Sequence, residues 1–137
     1  MTTAIIGISS GLLIILFIGI LKQLDKKTIY GLALAGIGFL YVGFVWANLQ
    51  DFIVNAVQAI IFLFIAYYGI KKNMFILAAG YLLHGCWDIV YSYFQNAALI
   101  PPHYDIFCST LDFTIAVYLL VLGNKSNSKK AFNKLVL

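Results

Sequence analysis

GYLLHGCWDIVYSYFQ, residues 80–95, places a histidine and an aspartate inside an otherwise apolar run. About 20 predominantly apolar residues is the length that crosses a bilayer as a helix. An ionisable side chain in mid-span costs roughly 2.5–3.5 kcal/mol on insertion scales. His84 and Asp88 are four residues apart, so a helix puts them on one face. A chain that keeps both at that depth is expected to use them, and the rest of the sequence reads as the scaffold that holds them.

Of the 137 residues, 63% are hydrophobic and only 10% charged, and the mean hydropathy is +0.96. A soluble domain of this length cannot hide so much apolar surface. The expected fold class is all-α, an integral membrane bundle of five transmembrane helices. The spans read as about 4–21, 29–47, 51–70, 74–94 and 104–122. Residues 1–123 would then form the membrane domain, and residues 124–137 a basic cytoplasmic tail.

The formal charge of +4 does not point to nucleic acid. All nine basic residues are lysines, and a phosphate-reading surface normally carries arginine. The lysines form three clusters: Lys22, Lys26 and Lys27; Lys71 and Lys72; Lys125, Lys129, Lys130 and Lys134. These clusters follow spans one, three and five, and the other loops lack them. By the positive-inside rule the N-terminus is outside and the C-terminus cytoplasmic. Of the acidic residues only Asp25 falls on the cytoplasmic side; Asp51, Asp88, Asp105 and Asp112 lie at the outer side or within the membrane.

The first span has no basic leader and no small-residue cleavage site, so it reads as a retained helix. Gly7 and Gly11 form a GxxxG, with Ser10 beside it, a spacing that lets helices approach closely. The second span carries small residues and no ionisable side chain, with Trp46 at its far end in an interfacial position. Both helices read as structure. Cys86 and Cys108 lie inside apolar runs and read as two small buried side chains, not a disulfide framework.

The third span differs. Asn48, Asp51, Asn55 and Gln58 fall within an arc of about 80° at 100° per residue. A polar stripe on a membrane helix faces protein or a cavity. Tyr67 and Tyr68 mark its other interface. On the fourth span, His84, Asp88, Tyr91 and Gln95 form one stripe with Tyr81 beside it. Pro101 and Pro102 suit the first turn of the fifth helix, where Asp105 complements the helix dipole. Asp105, Cys108, Ser109, Asp112 and Ala116 fall within an arc of about 100° on that helix. In the tail, Phe132, Leu135 and Val136 suit either an anionic leaflet or a plain disordered end. No internal repeat is visible.

At 1.5 Å per residue, His84 and Asp112 fall near the middle of their spans, with Asp88 about 6 Å further out. Gln58 lies about 4 Å and Asn55 about 8 Å outward of the centre of the third span. Three stripes on three helices therefore meet in one layer, in the outer half of the bilayer. Isolated polar residues have no reason to agree in depth.

At these residues the chain resembles a family of small bacterial membrane proteins without an assigned function. The likeness rests on an H-x-x-W-D motif (His84, Trp87, Asp88) and a later P-x-Y-x-x-F-C-x-x-x-D motif (Pro102, Tyr104, Phe107, Cys108, Asp112). It covers the last two helices. It implies a multi-pass protein of a bacterial plasma membrane. A further histidine expected after the tryptophan–aspartate pair is absent here, where Tyr91 and Ser92 stand.

Four readings follow. His84, Asp88 and Asp112 are the candidate catalytic residues of a membrane-embedded hydrolase-type enzyme acting on a lipid-like substrate. They would work through a divalent Zn, Fe or Mn ion, with His103 or Cys108 as an added ligand, or without metal, with His84 as general base. The second reading is a proton- or ion-coupled small transporter, for which a homodimer would supply the missing wall. The third is a sensor or binding protein for a small amphipathic ligand, held by Asp51, Asn55, Gln58, Trp87 and Tyr91 in an aromatic-lined pocket. Membrane lipids are expected partners throughout. In the fourth, the polar residues only hydrogen-bond across helices, worth about 0.6 kcal/mol each.

Overall fold

The computed structural model describes residues 1–94 and 99–135, with side chains described outside Ser92, Phe94 and the segment from residue 129 on. Gln95 and the tail side chains of Phe132, Leu135 and Val136 lie outside the described residues. The chain forms α1 (Thr2–Ile20), α2 (Lys26–Phe44), α3 (Leu49–Lys71), α4 (Met74–Phe94) and α5 (Tyr104–Leu135). All five are long and apolar enough to cross a membrane, with mean hydropathy of 1.4 to 2.4 over their best windows.

Local chemistry sets the helix starts. α2 begins at Lys26, earlier than the apolar run suggests, because Asp25 is its N-cap. The Thr28 hydroxyl donates to Asp25 Oδ2 at 2.6 Å and the Thr28 amide at 3.0 Å. Those two bonds hold the Asp25 carboxyl below its ordinary value of 3.8. Asn48 caps α3 by accepting from the Asp51 amide, so the outermost member of the polar stripe serves the helix end. α5 starts two residues after Pro102, which stands in a turn closed by the Tyr104 amide on the Pro101 carbonyl at 3.1 Å. Asp105 sits in its first turn and accepts from the Ile106 amide. At the other end α5 runs without a break past Leu122 to Leu135.

α4 packs on α5 and α3, α2 on α3 and α4, and α1 on α5 alone among the main pairings. α1 is held there by its glycines. A Cβ on Gly7 would meet the Phe107 carbonyl oxygen at 2.5 Å, and one on Gly11 would meet Thr114 Cβ at 3.0 Å. The backbone of α1 therefore rests directly on α5, as GxxxG spacing allows. The remaining faces of α1, including Leu12, Leu13, Leu16 and Phe17, are exposed apolar surface.

The interior divides into two layers. One is apolar and lies toward the lysine-bearing turns; it packs Ile18, Tyr30, Leu34, Phe62, Ala66, Leu77, Tyr81, Ile115 and Leu119. The other holds the buried polar residues Asp51, Asn55, Gln58, His84, Asp88, Ser109 and Asp112. An apolar layer contributes burial without direction, whereas a polar layer is stable only when its groups find partners.

Candidate functional site

α4 supplies His84 and Asp88 one turn apart, and α5 supplies Asp112; all three are at most 1% exposed. The shortest link runs between helices: His84 Nδ1 lies 2.8 Å from Asp112 Oδ2. Asp88 Oδ2 lies 3.6 Å from the same nitrogen, beyond hydrogen-bond length. Asp88 is instead held from α2, where the Tyr41 hydroxyl donates to its Oδ1 at 2.8 Å. Its Oδ2 has no hydrogen-bond partner among the described residues.

A carboxylate only accepts, so with Asp112 ionised the His84 proton on that side sits on Nδ1. The neutral ring then carries its lone pair on Nε2, which is buried and has no hydrogen-bond partner among the described residues. Phe62 of α3 covers the ring edge-on, with centroids 4.7 Å apart.

A second set continues the site along α3 and α4. Asn55 Nδ2 donates to the Asp51 carbonyl at 2.8 Å and to the Tyr91 hydroxyl at 3.2 Å. The Tyr91 ring packs on Tyr41 at 4.7 Å, which joins this set to the Asp88 partner. Tyr104 and Phe44 close the aromatic wall, 5.0 Å apart and nearly perpendicular.

The expected site residues do not all meet in one place. His84, Asp88 and Asp112 do, and Asp51, Asn55 and Tyr91 form the adjoining set. Gln58 and Trp87 instead line a cleft between α3 and α4, of about 640 Å³, whose other walls include Val57, Ile61, Phe62 and Leu83. Among the described residues neither polar atom of the Gln58 amide has a partner, nor does the Trp87 indole nitrogen, and all three atoms are buried. Cys86 is exposed on this cleft, so only Cys108 is the small buried residue expected of both. His103 is exposed in the turn before α5, with φ of 62°, and joins no cluster of metal-type donors among the described residues. Cys108, buried one turn before Asp112, is also outside that cluster.

Tyr41 is the site residue that a search for ionisable side chains passes over, since α2 reads as structure. A signal was present. Tyr30, Leu34, Tyr41 and Val45 recur on one face of α2 and are all buried, and a buried tyrosine hydroxyl needs a partner.

Three donor atoms, one each from His84, Asp88 and Asp112, lie within 4.8 Å of one another, a set that can hold a metal ion. One histidine with two carboxylates suits Zn, Fe or Mn and leaves coordination positions open. The same atoms without metal form an oriented imidazole beside a second carboxylate.

No curated protein and no solved structure matches the chain. A family model matches residues 2–125, from the start of α1 well into α5 and far beyond the two helices that carry the motifs. The chain belongs to that family, the family of unknown function DUF6010.

Proposed function

We propose that this chain is a membrane-embedded enzyme of the hydrolytic type, in which His84 acts as general base on an acyl group of a lipid-like substrate. The observation that carries the reading is the division of labour on one imidazole. Nδ1 is tied to Asp112 at 2.8 Å, and Nε2 is buried with no partner among the described residues. In acyl-transfer enzymes a carboxylate in this position fixes the tautomer and stabilises the imidazolium that forms. Here Nε2 takes a proton from water as the water oxygen bonds to the acyl carbon. The imidazolium, held by Asp112, then returns that proton to the leaving amine or alkoxide as the acyl bond breaks. The products are a carboxylic acid and the released amine or alcohol. Asp88, kept in place by Tyr41, sets a second carboxyl group beside the ring.

A metal-dependent form of the same reading rests on the three donor atoms within 4.8 Å. His84, Asp88 and Asp112 would hold such an ion, and the chemistry it would supply is polarisation of the acyl oxygen. Proton-coupled transport fits less well. The apolar layer of Leu34, Phe62, Leu77, Tyr81 and Ile115 fills the bundle between the triad and the lysine-bearing turns, and a single protomer has no repeat that would open it. The lysine distribution supports an N-terminus outside, a cytoplasmic C-terminus and a site in the outer half of the membrane, and the resemblance of the motifs supports a bacterial plasma membrane.

The test is release of fatty acid from palmitoyl amides and esters by the purified protein in nanodiscs, followed by mass spectrometry. His84→Ala and Asp112→Asn are expected to lower the rate by about 10²–10⁴, the contribution of a general base. Retained activity in His84→Ala, or no release from any acyl substrate, would sink the reading. Elemental analysis with and without added Zn, Fe or Mn separates the metal form: a stoichiometric ion lost in His84→Ala supports it, and full activity after chelation excludes it.

A further inference from the structure

At the lysine-bearing end of the bundle a pocket of about 250 Å³ lies where the starts of α2 and α4 meet α5. Its walls carry Lys26 and Lys27 from the first turn of α2 and Lys72 from the C-cap of α3. α5 adds Ser126 and Asn127, two uncharged side chains that can donate hydrogen bonds. Met74 and Phe75, the first two residues of α4, complete the lining, and the first amides of a helix have no acceptor within it. Three ammonium groups and the positive end of a helix dipole thus surround one small space.

Little in the chain balances this charge. Of the five acidic residues, Asp51 and Asp105 stand at the opposite helix ends, and Asp88 and Asp112 belong to the buried triad. Only Asp25 is at this end. Its carboxyl accepts from the Thr28 hydroxyl and amide as the cap of α2, and Lys27 is the weakest of the influences on it. Among the described residues no lysine forms an ion pair with a carboxylate; both pairs that occur belong to His84.

Orienting the chain in a membrane does not require this placement. Lys22, Lys71 and Lys125 are exposed, and exposed lysines in the turns serve that purpose. Lys26 and Lys27 are half-buried, in the first turn of a helix, where the dipole disfavours a cation. Lys26 Nζ donates across to the Tyr118 hydroxyl of α5 at 3.5 Å, so its charge is drawn into the bundle. A bound anion turns both penalties into attraction.

Size and polarity narrow the anion. The pocket is smaller than the about 300–1,000 Å³ of drug-sized sites, so it takes a compact headgroup and not a whole lipid. Lysine binds phosphate as a point charge. A choline or ethanolamine headgroup would bring its own cation against three lysines. The floor is apolar: the Phe75 ring rests on the backbone of Gly123, where a Cβ would lie 3.1 Å from it, with Met74 and Leu122 beside it.

We infer that this pocket binds the phosphate of an anionic phospholipid, with the headgroup among Lys26, Lys27 and Lys72 and the acyl chains leaving past Phe75 and Leu122. The pocket stands about 15 Å along α4 from His84, ten residues at 1.5 Å each, and is independent of the reaction proposed there.

The purified full chain is titrated in neutral detergent micelles with phosphatidic acid and with phosphatidylcholine of the same chains, and bound lipid is counted by native mass spectrometry. At about 0.15 M ionic strength, charges further than about 8 Å from the headgroup are screened. Phosphatidic acid is expected to bind at least about tenfold more tightly. Lys26→Gln, Lys27→Gln and Lys72→Gln together should remove that preference. Lys22→Gln, Lys71→Gln and Lys125→Gln together take the same charge from the same end, outside the pocket, and should leave it. Lys72→Gln alone, at an exposed helix end, should weaken phosphatidic acid about fivefold, near 1 kcal/mol for one lysine, and reads the site should the triple variant not fold. Equal binding of the two lipids, an equal loss in both triple variants, or no effect of Lys72→Gln would overturn the assignment. Inorganic phosphate separates the two sources of the anion. It should displace the lipid only at a concentration at least about 10²-fold higher, because it lacks acyl chains to bury. Displacement at equal concentration would give the pocket to free phosphate and overturn the lipid.

Discussion

His84 bonds across to Asp112 on the next helix, 2.8 Å from Nδ1 to Oδ2, in preference to Asp88 one turn away on its own helix. Tyr41 holds Asp88 Oδ1 from α2 at 2.8 Å, and Asp88 Oδ2, 3.6 Å from the ring nitrogen, has no partner among the described residues. One imidazole thereby ties α4 to α5, and one carboxylate ties α4 to α2. His84 and Asp88 of α4 are thus tied to two different helices.

That cross-helix bond is expected to exceed the usual value in membranes. A double-mutant cycle of His84→Leu and Asp112→Leu, read from unfolding in mixed micelles, should give a coupling above about 1 kcal/mol, against an average near 0.6 for interhelical hydrogen bonds. Coupling at or below that average would mean that the 2.8 Å contact adds nothing special.

Tyr41→Phe removes the donor to Asp88 and keeps the ring against Tyr91. Asp88 is then left buried with no hydrogen bond, at an expected cost of about 1–3 kcal/mol. Tyr91→Phe should cost less, because Asn55 keeps its bond to the Asp51 carbonyl at 2.8 Å. Equal losses in the two variants, measured by the same unfolding assay, would contradict the assignment of Tyr41 as the holder of Asp88.

α1 is held by contact of its backbone with α5. Gly7→Ala is therefore expected to weaken the fold by about 1–3 kcal/mol, the usual range for overpacking. Gly19→Ala, where a Cβ meets nothing within 4 Å, should be neutral or slightly stabilising. Proteolytic release of α1 from the Gly7 variant alone would report the loss directly.

The cap of α2 is pH-dependent. Thr28 lowers the Asp25 carboxyl below 3.8, so the cap contributes above that value and is lost as pH falls through the depressed one. Asp25→Ala should cost about 0.5–1 kcal/mol at neutral pH, and the gap to the parent protein should close in strong acid. A gap that is constant down to pH 2 would show that the carboxylate charge plays no part.

The polar stripes were readable because helical periodicity and the cost of a buried charge act along the chain. Asn55, Gln58, His84, Asp88 and Asp112 could be placed on faces and at depths by counting residues, and the structure buries all five. Counting could not separate them into a triad and a cleft. Gln58 is one turn from Phe62, and the rotation of α3 sets Phe62 against His84 while the Gln58 amide stays buried without a partner among the described residues.

The sequence by itself determined five apolar helices, the GxxxG face of α1 and the inward side of α3, α4 and α5. All of these follow from hydropathy and spacing within single segments. Tertiary structure alone decided which aspartate His84 takes, that Tyr41 of an apparently featureless helix completes the site, and that the Gln58 amide and the Trp87 indole nitrogen are buried without partners among the described residues. Hydrogen bonds between helices depend on rotations of a few degrees and translations of an ångström, which the residues of one helix do not encode without the others packed against it.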